Sequence, residues 1–545
     1  MGKQLRKVLL LSLGLVLFLL FWWNPSVFKS KEEELSANQK EIAWVYPASY
    51  SSAWERLVSS GKLLANHPDP FLSKVKFETG SQTFPELTAS VPYFKISHPD
   101  SSLTIVVKWY KISSDMKYEN WMEKLFSRTI IPSAIVGGPT TDDAMAIVQA
   151  ISKILAKIKV EKPPPLILTT ASSNTLAKEF NATLGPNQGE DIGLMGIYPE
   201  KTFRFGFDNR IMSDAIIRLL WSNPDLKPDS DPVHIVLWED DSYARDFVAT
   251  FWASLNKQTI ADGLAAYCWA SSAVLAQQNT NFAFLLAPPL QLIGKKASAF
   301  KMITPPIPQI IDSSIGVRYT ANRFEKEALK FLLLDINLKP EQTQPLMVVG
   351  SQAVQARRFL RELSLSDPTL ARKMVVVTGD TLSLNTVYRD REVAWPVSEL
   401  PCKVVFFSHA NPVSHDAGFR AINDWADTEH LAKATSTEEL IFSSQILEGL
   451  LPGLFVDTSD LSTQLKKLTW DGERITVGKG VPLFDAVGNR NAGTGEFIGV
   501  LKPLLNPNDR TSAKLEIWSL LSQGVNQLPL PTLRSELSFS SGSKR

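Results

Sequence analysis

Cysteine is nearly absent: the chain of 545 residues has two, Cys268 and Cys402. Two thiols cannot staple a chain of this length, and they cannot supply a four-cysteine zinc site, so both classes are excluded. A bond between them is the weaker reading, and two buried thiols the stronger. An excess of charge is missing too. Lys and Arg number 57 against 56 Asp and Glu, a formal net charge of +1, with both signs interspersed. No basic face is present to neutralise phosphates, so no nucleic-acid partner is expected. Enzyme signatures are also lacking. His-Glu-x-x-His, Gly-x-Ser-x-Gly and the Walker A loop do not occur, and residues 472–480 have the wrong glycine spacing and no following Ser or Thr. Neither an enzyme nor a cofactor is expected. Ser408-His409 and Ser414-His415-Asp416 bring hydroxyl, imidazole and carboxylate close in sequence. Sequence neighbours rarely converge as a triad, however, and a metal site at His409, His415 and Asp416 is a minor reading as well. Long apolar runs are missing except for one.

That run lies at the start. Lys3, Arg6 and Lys7 precede the stretch Val8 to Trp23, which ends at Asn24-Pro25. At 1.5 Å per residue such a segment spans roughly 24 Å, and Trp22 and Trp23 suit the membrane interface. A cleaved signal peptide needs small residues soon after the apolar run, and Phe21 to Pro25 offers none, so an uncleaved signal anchor is preferred. The basic end then stays cytoplasmic and the remainder is exported, which implies a single-pass inner-membrane protein with its bulk periplasmic. The expected layout is a cytoplasmic stub at 1–7, the anchor at 8–23 and a charged stalk at 24–40.

From Glu41 the chain alternates short β-rich apolar runs with amphipathic helical stretches, the pattern of α/β units around parallel sheets. Strands are expected at Ile42–Tyr46, Leu103–Trp109, Ala134–Val136, Leu166–Leu168, His234–Trp238, Leu346–Val349, Met374–Val377 and Cys402–Phe407. Helices are expected at Ser52–Leu64, Met116–Phe126, Asp142–Ile158, Asn174–Phe180, Met212–Trp221, Tyr243–Leu255, Phe324–Leu334, Ala353–Leu363 and Glu438–Leu451. Several strands end in small or hydroxylated turns, among them Gly137-Gly138-Pro139-Thr140-Thr141 and Thr169-Thr170-Ala171-Ser172-Ser173. Such turns place amides and hydroxyls at the carboxyl edge of a sheet, where open α/β folds bind ligands. Beyond about Asn506 the periodicity is lost, and Ser538 to Arg545 reads as a frayed tail.

Several strings, in this order, resemble the type I periplasmic binding protein family, in particular receptors for branched-chain amino acids. They are Ala134 to Ala144, a strand with a glycine and hydroxyl turn ahead of a helix; Leu166 to Asn174; the crossover start Phe203-Arg204; Trp238 to Arg245; and Leu483-Phe484-Asp485-Ala486-Val487-Gly488-Asn489-Arg490, similar to the family's FD-x-x-G-[DN]-R turn. The resemblance covers roughly residues 40 to 505. It implies two doubly wound, Rossmann-like lobes with a hinge. Lobe 1 is expected at 41–205 plus 412–480 and lobe 2 at 206–411 plus 481–505, with an extension at 506–545 and crossings near Phe205, Asn411 and Val481. There are departures: long insertions lie between Gly61 and Ser101 and between Lys257 and Phe324, and the first disulfide loop of such receptors is missing.

The resemblance further implies that Thr140, Thr141, Ser172 and Ser173 bond a ligand carboxylate from lobe 1, while Tyr243, Ser351 and Asp380 close from lobe 2. Each hydroxyl is equally at home as a helix N-cap, Tyr243 as an interlobe contact, and Asp380 as a turn residue after Gly379. The function implied is binding of a small polar, amino acid-like solute, for an ABC permease or a membrane sensor, by closure of the lobes. The alternatives are an envelope interaction module that keeps the fold without a ligand and, last, an exported enzyme.

Overall fold

The computed structural model describes residues 35–80, 84–85, 87–174, 193–227, 233–238, 241–257, 266–271, 344–366, 368–382, 402–412, 437–456, 460–503, 513–521 and 530–539. The expected anchor at 8–23, most of the helix expected at Asn174–Phe180, that at Phe324–Leu334, and His415-Asp416 lie outside them. Among the described residues no helix is long and apolar enough to cross a membrane.

The chain begins with β1 (Gln39–Pro47) and α1 (Ser51–Leu63), then β2 (Lys76–Thr79), β3 (Tyr93–Ser97), β4 (Thr104–Ile112) and α2 (Tyr118–Phe126). It continues with β5 (Ala134–Gly137), α3 (Thr141–Leu155), β6 (Leu166–Leu168) and β7 (Thr202–Arg204). These strands form a seven-stranded sheet in the order β2-β3-β4-β1-β5-β6-β7. The five strands from β4 to β7 are parallel, and β3 and β2 add an antiparallel edge. That edge comes from the segment between Gly61 and Ser101, read from sequence only as an insertion. Ile42 to Tyr46 is an unbroken buried run because a central parallel strand is covered on both faces.

Next come α4 (Asn209–Ser222), β8 (Val233–Trp238), α5 (Ser242–Lys257), β9 (Ala266–Ser271), β10 (Leu346–Gly350), α6 (Ala353–Ser366), α7 (Pro368–Lys373), β11 (Val375–Val377) and β12 (Lys403–Ser408). After α8 (Thr437–Phe455) and α9 (Leu461–Leu465), β13 (Leu468–Trp470), β14 (Ile475–Val477) and β15 (Val481–Pro482) make a small three-stranded sheet. The last strands are β16 (Glu496–Pro503), β17 (Ala513–Leu521) and β18 (Leu530–Phe539).

The second large sheet has the order β18-β17-β16-β12-β11-β10-β8-β9, with β9 to β12 parallel and β16 to β18 antiparallel. The region beyond Asn506, expected to be an irregular extension, therefore supplies two strands of this sheet. Leu515, Ile517 and Leu520 are buried, and so are Glu516 and Ser519 between them, so β17 is covered on both faces. β18 reaches Phe539, inside the stretch read as a frayed tail.

Helices α1 and α8 cover one face of the first sheet, where Trp54, Leu57, Leu447 and Leu450 join Ile42 and Trp44 in one core. On the other face α2 and α3 contribute Trp121, Leu125, Ile147 and Ile151. A separate core joins Met212, Ile216, Phe247 and Phe251 of α4 and α5 to Leu346, Val348 and Val375. This is the two-unit, doubly wound α/β architecture expected from the sequence. Cys402 is a free, buried thiol; burial alone raises its pKa.

The units are joined by three passages, and one side chain ties them together. Arg490 is buried; its Nη1 donates to Phe205 O (2.9 Å) and to His409 O (3.5 Å), Nη2 donates to Thr494 O, and Nε donates to Thr494 Oγ1 (3.2 Å). Its guanidinium lies 4.3 Å from the centre of the Phe207 ring. Loss of hydration draws its pKa down to about 10, still cationic at neutral pH. The turn ahead of it is held by Asp485, whose Oδ1 accepts from the amides of Val487, Gly488 and Asn489 at 2.8–2.9 Å. Gly488 has φ +102, and a Cβ there would meet Thr202 O at 2.2 Å, so only glycine fits. Phe484 still packs with Phe203 and Phe205 of the first unit. The third passage therefore runs through residues 485–495, later than the expected Val481.

Candidate functional site

Both parallel cores share one strand order. Taken in chain sequence, β4-β1-β5-β6-β7 and β9-β8-β10-β11-β12 each place the second strand outside the first and the rest on its other side. The order reverses between β1 and β5 in one sheet and between β8 and β10 in the other. At such a switch point the helices leaving neighbouring strands diverge and open a crevice at the carboxyl ends. A cavity of about 410 Å³ occupies the space between the units, lined by residues following β1, β5 and β6 on one side and by Asp241, Tyr243, Gln352, Ala353, Asp380 and Thr381 on the other. Residues from α8 and the second passage, Glu438, Glu439, Phe442 and His409, complete the lining.

The first-unit wall is aromatic. Trp44 and Tyr46 alternate on β1 and so share a face. Trp44 is stacked with Trp109 of β4 (6.4 Å, 7°), Tyr46 lies 4.9 Å from Trp109, and Tyr50 meets Tyr46 edge-on at 5.9 Å. The Tyr46 hydroxyl donates to Thr169 Oγ1 at 2.6 Å. Burial raises the pKa of Tyr46 and of Tyr50, so both are neutral phenols.

The expected site residues divide into two groups. Thr140, Thr141, Ser172, Tyr243 and Asp380 line the cavity, and Ser173 and Ser351 are not among its lining. Thr140 acts as a cap: its Oγ1 accepts from Asp143 N (3.2 Å) and donates to Asp143 Oδ2 (2.7 Å), which leaves no donor for a ligand carboxylate. Thr141 Oγ1, Ser172 Oγ and the Tyr243 hydroxyl are buried without a partner among the described residues. Ser173 is buried and its carbonyl accepts from Arg204 Nη2 at 2.9 Å. Ser351 donates to the Gln352 carbonyl at 3.2 Å. Arg204, itself buried, also donates to Asn174 Oδ1 (2.6 Å) and Ser172 O (3.4 Å), so it shapes the loop that presents Ser172.

Asp380 does not stand alone. Its Oδ2 lies 3.0 Å from His409 Nε2, while His409 Nδ1 lies 3.0 Å from Phe207 N. A backbone N–H can only donate, so Nδ1 is the acceptor and the proton sits on Nε2, facing Asp380. His409 thus links the cleft to the first passage. Ser408 donates to the Ala410 carbonyl at 2.6 Å, and Ser408-His409 is no nucleophile-base pair. Burial and then the Asp380 carboxylate raise the pKa of Tyr243, whose ring stacks on Phe247 at 5.8 Å.

Sequence reasoning missed the two glutamates. Glu438 is buried at the start of α8; Oε1 accepts from His409 N (3.2 Å) and Oε2 has no hydrogen-bond partner among the described residues. Burial pushes its pKa up to about 8, so it is largely protonated at neutral pH. Glu439 pairs with Arg56 of α1. The Glu438-Glu439 pair opening a helix was the available signal, and it reads equally well as ordinary helix N-terminal chemistry. Asp241 caps α5 through Oδ1, accepting from Tyr243 N at 2.9 Å; burial raises its pKa, against the lowering effect of its hydrogen bonds, one of them with the Gln352 side chain. Two further bonds cross between the units: Ser242 Oγ donates to Asp142 Oδ1 (3.4 Å), and Asn174 N donates to Asp246 Oδ2 (3.2 Å).

No known protein family matches the sequence, and no curated protein is similar to it. Among solved structures the chain is similar to a leucine-binding protein, LivK, of Thermotoga maritima, at 11% identity, covering 85% of this chain and 95% of that one with a TM-score of 0.43. It is also similar to a leucine-, isoleucine-, valine-, threonine- and alanine-binding protein of Brucella ovis in its closed conformation (10% identity, 92% and 96% covered, TM-score 0.43). A third is a fatty acid ABC transporter substrate-binding protein of Thermomonospora curvata (10%, 90% and 94%, 0.43). All three are binding proteins by name. At these scores the likeness carries no argument, and the fold rests on the strand order and cores described above.

Proposed function

We propose that this chain is an extracytoplasmic solute-binding protein that closes two lobes on a small polar ligand. The observation that supports the reading best is the cavity at the facing switch points, lined from both units and carrying buried polar atoms with no partner among the described residues. Such atoms cost about 1–3 kcal/mol each when left unpaired, and a ligand that bonds them recovers that cost. Lobe 1 comprises the first sheet with α8, α9 and the small sheet; lobe 2 comprises the second sheet through β18. The passages at Phe205, His409 and residues 485–495 form the hinge. Residues 8–23 anchor the protein in the inner membrane, and the closed form is read by a membrane partner, an ABC permease or a sensor.

A thermal-shift panel of amines, amino acids, amides, sugars and short acids on the purified full chain tests the reading. One chemical class should raise the melting temperature, because a ligand at a hundredfold its Kd stabilises by about 2.7 kcal/mol. The same class should shrink the radius of gyration in small-angle scattering. A panel with no shift and no compaction would return the cleft to a structural role.

A further inference from the structure

The cleft's chemistry narrows the ligand class, an inference that rests on the binding reading above. Among the described residues its lining contains Asp142, Asp241, Asp380, Glu438 and Glu439, and no lysine or arginine. Among the described residues, Arg56, paired with Glu439, is the opposing full charge at the rim. Helices α1, α3, α5, α6 and α8 all start at this cavity, and helix starts attract anions with roughly half a charge each. Three of those starts carry their own acids: Asp142 and Asp143 on α3, Asp241 on α5, and Glu438 with Glu439 on α8. With Glu438 set aside as protonated, the full charges of Asp142, Asp143, Asp241, Asp380 and Glu439 outweigh Arg56 and the helix starts together. The cleft is net negative.

The places expected to receive a ligand carboxylate are poorly suited to one. Thr140 is consumed as a cap, and Asp142 lines the cavity beside Thr141. Across the cavity from Asp241 and Asp380 of the second unit stands the aromatic wall of Trp44, Tyr46, Tyr50 and Trp109. Aromatic faces attract ammonium groups by about 0.5–2 kcal/mol, most when water is excluded. Two unpartnered hydroxyls on residues that line the cavity fit the same occupant. Ser172 Oγ and Thr141 Oγ1 belong to side chains more than nine-tenths buried, and both can accept a hydrogen bond from N–H.

We propose that the cleft binds an organic cation, an amine or ammonium compound that carries no carboxylate, held between the aromatic wall and the acids of the second unit. A zwitterionic amino acid leaves the site's negative charge uncompensated and brings a carboxylate against Asp142.

Isothermal titration of the full chain with putrescine, cadaverine and choline, against leucine, 4-aminobutyrate, glutarate and glucose, tests this. Binding of at least one carboxylate-free cation, with no binding of the acids and zwitterions, is the expected result. Asp241→Asn keeps the α5 cap, since Asn caps as well as Asp, and removes one charge; it should weaken the cation about tenfold with the melting temperature unchanged. Binding of an amino acid, acid or sugar in place of the cations overturns the ligand class and leaves the binding function standing. No binding by any probe, with the chain folded, overturns both. An affinity untouched by Asp241→Asn refutes the assignment of the acids.

Discussion

Replacement of Arg490 is the most direct probe of the hinge. Methionine matches much of its length and keeps contact with Phe207, but withdraws every donor. The carbonyls of Phe205 and Thr494 then lose their bonds in a buried setting, and His409 O loses its long one. Two orphaned carbonyls at about 1–3 kcal/mol each, partly offset by no longer burying a guanidinium, place Arg490→Met near 3 kcal/mol of destabilisation. Lysine can satisfy one or two carbonyls as a point donor but cannot span all the passages, so Arg490→Lys should cost about half as much. Hydrogen exchange read by mass spectrometry is the discriminating assay. Because one guanidinium ties all three passages, amides near 205–208, 409–411 and 490–495 should lose protection together, while the core of β1 and β5 keeps its own. Loss of protection confined to 490–495, or an unchanged unfolding midpoint for Arg490→Met, would refute the view that this residue clamps the hinge.

Other outcomes follow from the same geometry. The Glu438 carboxyl titrates near 8 when folded and near 4.5 when unfolded, so between those values only the folded state holds the proton. Its contribution to stability is greatest below pH 4.5, falls as pH rises by up to about 1.4 kcal/mol per unit, and levels off above 8. In melting curves taken across pH 5–8, Glu438→Gln should flatten the decline relative to the parent. Ser172→Ala should leave stability within about 0.5 kcal/mol, since its hydroxyl is unpaired, yet weaken the ligand; Thr140→Ala should cost about 1 kcal/mol as a lost cap, with little effect on affinity. Paired denaturation and titration measurements separate the two roles. Glu41 is buried against Lys108 (3.2 Å), Arg128 (3.2 Å) and the Tyr110 hydroxyl (2.6 Å). Glu41→Ala strands two cations and should cost about 3–5 kcal/mol in urea unfolding.

Legibility varied with how local the physics is. Parallel strands buried on both faces announce themselves as apolar runs, which is why β1, β5, β6, β10 and β12 stand within a residue or two of their expected positions, apart from the longer β1. The strands β2, β3 and β16 to β18 alternate or sit among turns, and their pairing partners are distant in sequence, so they did not show. In the site, the family resemblance pointed to Thr141, Ser172, Tyr243 and Asp380, which line the cleft, but could not separate Thr140, spent on its own helix, from Thr141, which is not. That difference depends on which hydroxyl the folded turn aims at Asp143.

The sequence by itself determined the class: alternating apolar runs and amphipathic helices specify wound α/β units, since each element must bury one face or both. It also carried the FD-x-x-G-[DN]-R string at 484–490, whose glycine answers a local need, the positive φ of the turn. Only the tertiary structure decided what those residues do. Arg490 meets Phe205 and His409 from segments 285 and 81 residues away, and the cavity draws its aromatic wall from one unit and its acids from both. A balanced overall charge gave no hint of a negative cleft, because net charge sums over the whole chain, whereas a ligand responds to the few groups that folding gathers within a Debye length of it.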